Sequence, residues 1–289
     1  MTRLFRRLEE GQLALGALVL TPGCEYVELM GHAGLDFVVI QLMTTSNDWA
    51  DLGNLVRAAA RYDVTTIAWL QGFPWGNQGY DARLPADVLR ALSIGCDGAF
   101  ASVNNRQQVE AMVNVSGNSH SRPWIRDMGI ANPFPRSDNP KTSISDIFND
   151  QEVAWRARRM VAPLIEDKDS LDHLEEMLSV PNLRGFALGM GDLTRELGHP
   201  GEYLHPDLQA AVRKAVDIGN KYDLVPIANV GIPMQADSID GLLEGVTWMW
   251  ENGVPAVMIP HPTFAAQWFY ERVGRLLGPT LSGARPPLT

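Results

Sequence analysis

Two acidic residues stand where apolar runs end. Glu166 closes the run Val161-Ala-Pro-Leu-Ile165, and Asp192 closes the run Phe186-Ala-Leu-Gly-Met-Gly191. The residue that follows a buried parallel strand emerges at one rim of the sheet, so carboxylates on neighbouring strands can converge there on a hard cation. Two carboxylates that leave room for water and substrate oxygens suit Mg²⁺ or Mn²⁺. Zinc fits less well, because the chain has no His-Glu-x-x-His and no paired-cysteine spacing. Gly189 and Gly191 allow backbone N–H groups to come close to a bound carboxylate. The plainer alternative makes Glu166 a first-turn helix acid and Asp192 a cap on Leu193-Thr-Arg-Glu-Leu197. No Gly-x-x-x-x-Gly-Lys-Ser/Thr loop is present, and no Gly-x-Gly-x-x-Gly opens a helix.

The elements that must position these acids are short apolar runs, most of them followed by a stretch with helical spacing. Eight candidate strands are Leu13–Leu20, Phe37–Gln41, Thr65–Leu70, Gly98–Val103, Met160–Glu166, Gly185–Met190, Leu224–Val230 and Ala256–Pro260. The spacing of Leu171, Leu174, Met177 and Leu178 predicts one helix over Ser170–Val180, and Asp207 reads as a first-turn acid on another. Eight such pairs predict a single α/β domain over residues 1–289, a TIM (β/α)₈ barrel, with a doubly wound open sheet as the alternative. The stretch 116–150 breaks the rhythm with Pro123, Pro133, Pro135 and Pro140, and it reads as a lid or interface excursion because both its flanks belong to the same repeat. A second excursion runs from Gln71 to Tyr80. Phe264, Trp268, Phe269, Val273 and Leu276 stripe a last helix that would suit burial against a neighbouring subunit, so a homo-oligomer is expected.

On a barrel, the strand ends to interrogate are Thr21, Gln41, Thr44, Trp69, Gln71, Asn104, Glu166, Asp192, Asn229 and His261. A neutral His261 could serve as a base near neutral pH, or merely fix the Pro260-His-Pro262 turn. Arg126, in the excursion, could bind an acidic substrate or form a surface ion pair. Gln41, Thr44, Trp69, Gly191 and Asn229 are candidates to bind substrate, and Trp75 and Trp124 could help Trp69 wall a pocket. His32, His120, His173, His199 and His205 read as structural or solvated, and Cys24 as a buried, inert thiol.

Bulk composition narrows the class. A formal charge of −10 argues against nucleic acid, whose binding draws on Lys and Arg set against phosphates. Hydrophobic content of 45% with 20% charged residues is that of a globular chain rather than a disordered one. Two cysteines are too few for a disulfide framework, and Leu13–Leu20 is too short to span a bilayer, so a cytoplasmic protein with no membrane partner is expected.

Several segments together carry a resemblance. Ala162-Pro-Leu-Ile-Glu-Asp, then Leu183–Leu193, then Gly198-His-Pro-Gly resemble the HpcH/HpaI aldolase and citrate lyase β-subunit family. Gly31-His-Ala-Gly-Leu-Asp and Trp124-Ile-Arg-Asp-Met-Gly129 are similar to two further segments of that family. The resemblance implies a barrel of the phosphoenolpyruvate/pyruvate type, Mg²⁺ or Mn²⁺ held by Glu166 and Asp192, and aldolase-like cleavage or synthesis of carbon–carbon bonds. The substrate would be a small-molecule carboxylate, a 2-oxo acid, reacting through a metal-stabilised enolate. It also marks two departures. The family's Asp-Gly-Glu-His after strand two is Gln41-Leu-Met-Thr44 here, which removes the usual base, and its strand-three arginine is Gln71. Replacing a cation aimed at developing charge costs a few kcal/mol of transition-state stabilisation unless another group substitutes. Gln71, Arg126 and His261 are the candidates for the displaced catalytic roles. Citrate-lyase-like acyl-CoA cleavage or hydrolysis, and a non-catalytic carboxylate-binding barrel, are the rival readings.

Overall fold

The computed structural model describes residues 3–72, 83–117, 159–230 and 239–259. Eight parallel strands close on themselves in sequence order: β1 Ala14–Val19, β2 Phe37–Gln41, β3 Thr65–Leu70, β4 Gly98–Ser102, β5 Met160–Ile165, β6 Gly185–Leu188, β7 Val225–Asn229 and β8 Ala256–Ile259. Pairing of Ala14 with Ala256 and of Ala17 with Ile259 joins β1 to β8. That ladder excludes the open doubly wound sheet and establishes the TIM barrel. Each strand lies within a residue or two of its sequence expectation. The overshoots are instructive: Glu166 falls just past the β5 ladder, and Met190 already starts a helix.

Ten helices among the described residues surround the strands: α1 Arg3–Glu9, α2 Cys24–Ala33, α3 Trp49–Ala60, α4 Arg83–Ile94, α5 Arg106–Gly117, α6 Lys168–Asp172, α7 Leu174–Leu178, α8 Met190–Glu196, α9 Pro206–Lys221 and α10 Ile239–Glu251. Alternation along each strand splits the core in two. Phe37, Val39, Ile67, Phe100, Ala162, Leu164, Ala187, Ile227 and Met258 pack inside the barrel. Val38, Ile40, Ala68, Ala101, Val161 and Leu188 turn outward onto the helices. Continuing the inward set by two residues reaches Gln41, Trp69, Ser102, Glu166, Gly189 and Asn229, so the carboxyl-terminal rim becomes polar where the core becomes mouth. At the opposite end α1 lays Leu4 and Phe5 against the interior cluster and plugs the floor.

The helix predicted over Ser170–Val180 is two short helices that step at His173, whose φ/ψ of −98°/13° leaves the helical region. The His173 Nδ1 lies 2.9 Å from the Asp169 carbonyl that its own N–H also uses at 3.0 Å, so ring and backbone compete for one acceptor. Leu171, Leu174, Met177 and Leu178 are nonetheless all buried, because the apolar stripe spans both pieces. Asp207 does lie in the first turn of α9. The greater part of the 116–150 excursion, most of Gln71–Tyr80 and the expected last helix lie outside the described residues. No described helix is long and apolar enough to cross a membrane.

Candidate active site

Glu166 is 2% exposed at the exit of β5. It is not a helix acid: its neighbour Asp167 caps α6, accepting from Ser170 N–H at 2.7 Å in a capping box. That frees Glu166 to face the mouth. Ser102, at the end of β4, donates its hydroxyl to Glu166 Oε1, because the β4–β5 register sets Ser102 against Leu164, two residues before the acid. The other oxygen, Oε2, is buried without a hydrogen-bond partner among the described residues. An acceptor-only oxygen in that position costs free energy whenever the group is charged. The Glu166 carboxyl is accordingly pushed up to about 7: burial raises it most, the Ser102 bond draws it down, and the negative charge of Asp192 raises it.

Asp192 comes to the rim on α8. Gly189 precedes that helix, and a Cβ there would lie 2.5 Å from Glu166 Cβ and 2.6 Å from Oε2, so only glycine lets the β6 exit pass over the buried acid. Asn229, at the end of β7, accepts from the Met190 N–H at 3.1 Å and ties the start of α8 to the next strand. Asp192 itself is 39% exposed at its side chain and pairs with Arg195 at 3.0 Å. The two acids expected to meet are thus within electrostatic reach, one buried and one at the surface. Two carboxylates within electrostatic reach, one of them with a buried oxygen that has no hydrogen-bond partner among the described residues, could hold a hard divalent cation such as Mg²⁺ or Mn²⁺.

The other predicted residues separate into groups. Gln41 is 8% exposed and pairs in register with Trp69, whose indole Nε1 is buried without a partner among the described residues, as is Thr21 Oγ1. Asn47 Nδ2 (2.9 Å) and Thr45 Oγ1 (2.5 Å) donate to the Gln41 carbonyl and shape the turn that carries Thr44, which is exposed. Gln71 lies exposed just beyond β3, and Gly191 is exposed on α8. Asn104 is buried, its N–H bound by Gln108 Oε1 at 2.9 Å. His261 and Arg126 lie outside the described residues. Cys24 is partly buried rather than buried as expected, and burial and Glu25 push its thiol up, which disfavours a nucleophilic thiolate.

Two residues escaped the sequence reading. Ser102 could have been found from strand alternation, since it lies two positions beyond the inward-facing Phe100. Tyr203 carries no local signal: it sits in the segment after α8, with its hydroxyl 3.4 Å from where a Cβ on Gly191 would stand, and burial together with Asp192 pushes its phenol up.

Comparison with known proteins bears on the family and the fold. The family model for HpcH/HpaI aldolase/citrate lyase matches residues 80–262. A pyruvate aldolase of Rhizobium etli is 25% identical over 213 residues, covering 73% of this chain and 76% of its own. A 4-hydroxy-2-oxo-heptane-1,7-dioate aldolase of Klebsiella pneumoniae is 36% identical over 189 residues, 65% of this chain and 64% of its own. Among solved structures, an HpcH/HpaI aldolase from Desulfitobacterium hafniense superposes with a TM-score of 0.73 at 17% identity, covering 99% of this chain and 100% of that one, a likeness of fold.

Proposed function

The chain belongs to the HpcH/HpaI aldolase/citrate lyase family, and from that membership we propose that it is a divalent-metal-dependent carbon–carbon lyase or synthase acting on a 2-oxo acid through an enolate. The observation that carries the reading is the buried, half-partnered carboxylate of Glu166 beside Asp192. Mg²⁺ or Mn²⁺ held by these two acids would polarise the carbonyl and carboxylate oxygens of the substrate and lower the energy of the enolate.

The chain's own residues do the rest. Ser102 fixes Glu166 Oε1, which leaves Oε2 to the cation. Asn229 pins the start of α8, which holds Asp192 and the backbone N–H of Gly191 at the rim, where that N–H receives the substrate carboxylate. Gln41 and the Trp69 indole N–H line the mouth with neutral donors where the family resemblance calls for charged groups, so they orient the carbonyl oxygen rather than neutralise it. Proton removal falls to His261 and substrate-anion binding to Arg126. Gln71, at the family's arginine position, offers an amide to the developing oxyanion. The protein works as a homo-oligomer in the cytoplasm on a small carboxylate.

The test is exchange of deuterium into the carbon beside the carbonyl of pyruvate or oxaloacetate, with Mg²⁺, Mn²⁺ or Co²⁺. Metal-dependent exchange that disappears in Glu166→Gln is expected. Absence of exchange with every metal overturns enolate formation.

A further inference from the structure

The segment between α8 and α9 is built as a repeat of three. After α8, the His199 N–H reaches the Thr194 carbonyl at 2.8 Å and the Gly198 N–H reaches Arg195 at 3.0 Å, the paired bonds of a Schellman ending. Two successive turns follow, closed by Glu202 N–H to His199 O and by His205 N–H to Glu202 O, each at 3.0 Å. The first has Pro200 and Gly201 at its centre, with Gly201 at φ 81°, the left-handed position that a type II turn requires. A β-turn brings its first and last residues within about 7 Å of one another, and here the two turns share Glu202. His-x-x-Glu-x-x-His over 199–205 therefore puts both imidazoles and a carboxylate together. Their candidate ligand atoms lie within 4.8 Å of one another, and the two rings stack with centroids 3.3 Å apart.

We propose that His199, Glu202 and His205 form a cation site, separate from the carboxylate site, for a borderline-soft divalent ion of the Zn²⁺ or Cu²⁺ kind. Two imidazole nitrogens and one carboxylate oxygen select such ions over Mg²⁺, just as the oxygen donors of Glu166 and Asp192 select the reverse. Asp207 supplies the orienting contact that metal-binding histidines use: its Oδ2 accepts from His199 Nε2–H at 3.1 Å, which leaves Nδ1 of that ring as the lone pair for the ion. A tetrahedral ion needs ligand atoms about 3.5 Å apart. Glu202, being exposed, can swing inward to reach that spacing. The His205 Nδ1 accepts from the Asp207 N–H at 3.2 Å as the cap of α9, and coordination exchanges this cap for the ion. Because Tyr203 lies within the same turns and reaches Gly191, a bound ion clamps the segment at the rim of the candidate active site. His199 and His205, read from sequence as structural or solvated, thereby gain a ligand role.

The proposal stands apart from the proposed reaction, and its test reads binding alone. Equilibrium dialysis of Zn²⁺ against the full chain, with excess Mg²⁺ filling the carboxylate site, is expected to give one bound Zn²⁺ per chain. The same stoichiometry is expected in Glu166→Gln/Asp192→Asn. His199→Gln, the exposed Glu202→Gln, and His205→Asn, which keeps a capping acceptor, should each weaken binding at least tenfold, and Asp207→Asn about tenfold. Each of these four single variants should unfold in chelator at the wild-type temperature, and Cu²⁺ bound to the wild type should show nitrogen hyperfine coupling that His199→Gln reduces. A wild type that retains no Zn²⁺, or Zn²⁺ binding unmoved by all three ligand variants, overturns the site. Loss of Zn²⁺ only in Glu166→Gln/Asp192→Asn overturns it equally.

Discussion

The two ends of the barrel bury acids under opposite rules. At the floor, Asp36 is 3% exposed and every approach to it is met: Arg3 Nε and Arg7 Nε each lie 3.1 Å from Oδ1, and the Leu15 N–H donates to Oδ2 at 3.0 Å. Asp97, at 2% exposure, accepts from both the N–H (2.9 Å) and the hydroxyl (3.2 Å) of Thr66. At the mouth, Glu166 is as deeply buried, yet among the described residues it has one hydroxyl partner and an oxygen with none, and Trp69 Nε1 and Thr21 Oγ1 likewise have no partner there. A buried acid whose oxygens are met by donors fastens its end of the barrel; a buried acid left with an unpartnered oxygen marks where a ligand completes the structure.

The sharpest way to break that contrast is to remove one acid from each end. Asp36→Ala strips a buried carboxylate from two arginines and a backbone donor, and should cost about 3 kcal/mol of stability. Denaturant unfolding measures it, and a loss below about 1 kcal/mol would mean that the floor is not fastened by its acid. Glu166→Gln should act the other way in metal-free protein. A carboxyl whose folded value of about 7 lies above its ordinary 4.5 contributes stability that is whole below pH 4.5 and lost as the pH rises through 7. The wild type should therefore lose up to about 3 kcal/mol between pH 4.5 and 8 that Glu166→Gln keeps. Added Mg²⁺ or Mn²⁺ should restore the wild type and leave the variant unmoved. Parallel pH–stability curves for the two proteins would contradict this.

A third substitution sharpens the contrast within the mouth itself. Gly189→Ala forces a methyl into Glu166 Cβ and Oε2, whereas Gly191→Ala meets only the Tyr203 hydroxyl at an ordinary 3.4 Å. Displacing a reacting constellation by about 1 Å costs on the order of 100-fold in rate. Gly189→Ala should lose that much deuterium exchange while staying folded, and Gly191→Ala far less. Equal losses in the two would separate the buried carboxylate from the chemistry.

How far this was legible in the chain depends on whether the signal is local. Strand positions followed from apolar runs bounded by turns, and Glu166 and Asp192 from being the polar residues at which such runs stop. Closure of β1 on β8 is a long-range ladder that no window of sequence contains. Ser102 was legible only in part: alternation from the inward-facing Phe100 reaches it, but its partnership with Glu166 rests on the β4–β5 register that sets it against Leu164. The break at His173 was hidden because an apolar stripe reads alike through one helix or two. The threefold spacing of His199, Glu202 and His205 was visible as letters, but only the folded turns bring the three side chains within reach of one another.

Ser102 also offers the finest measure of how the mouth is set. Its hydroxyl bonds the charged form of Glu166, so it opposes the burial that keeps the acid protonated. Ser102→Ala deletes that one bond and alters neither donor of the cation site. A hydrogen bond to a charged group is worth about 1.5 kcal/mol, so proton release from Glu166 should move upward by roughly one pH unit. A cation can bind only the ionised acid, so the acid limb of Mn²⁺ binding should shift upward by the same amount, with affinity above that limb little changed. If affinity instead fell evenly at every pH, Ser102 would be positioning the carboxylate rather than tuning its charge, and the mouth would differ from the floor in geometry more than in compensation.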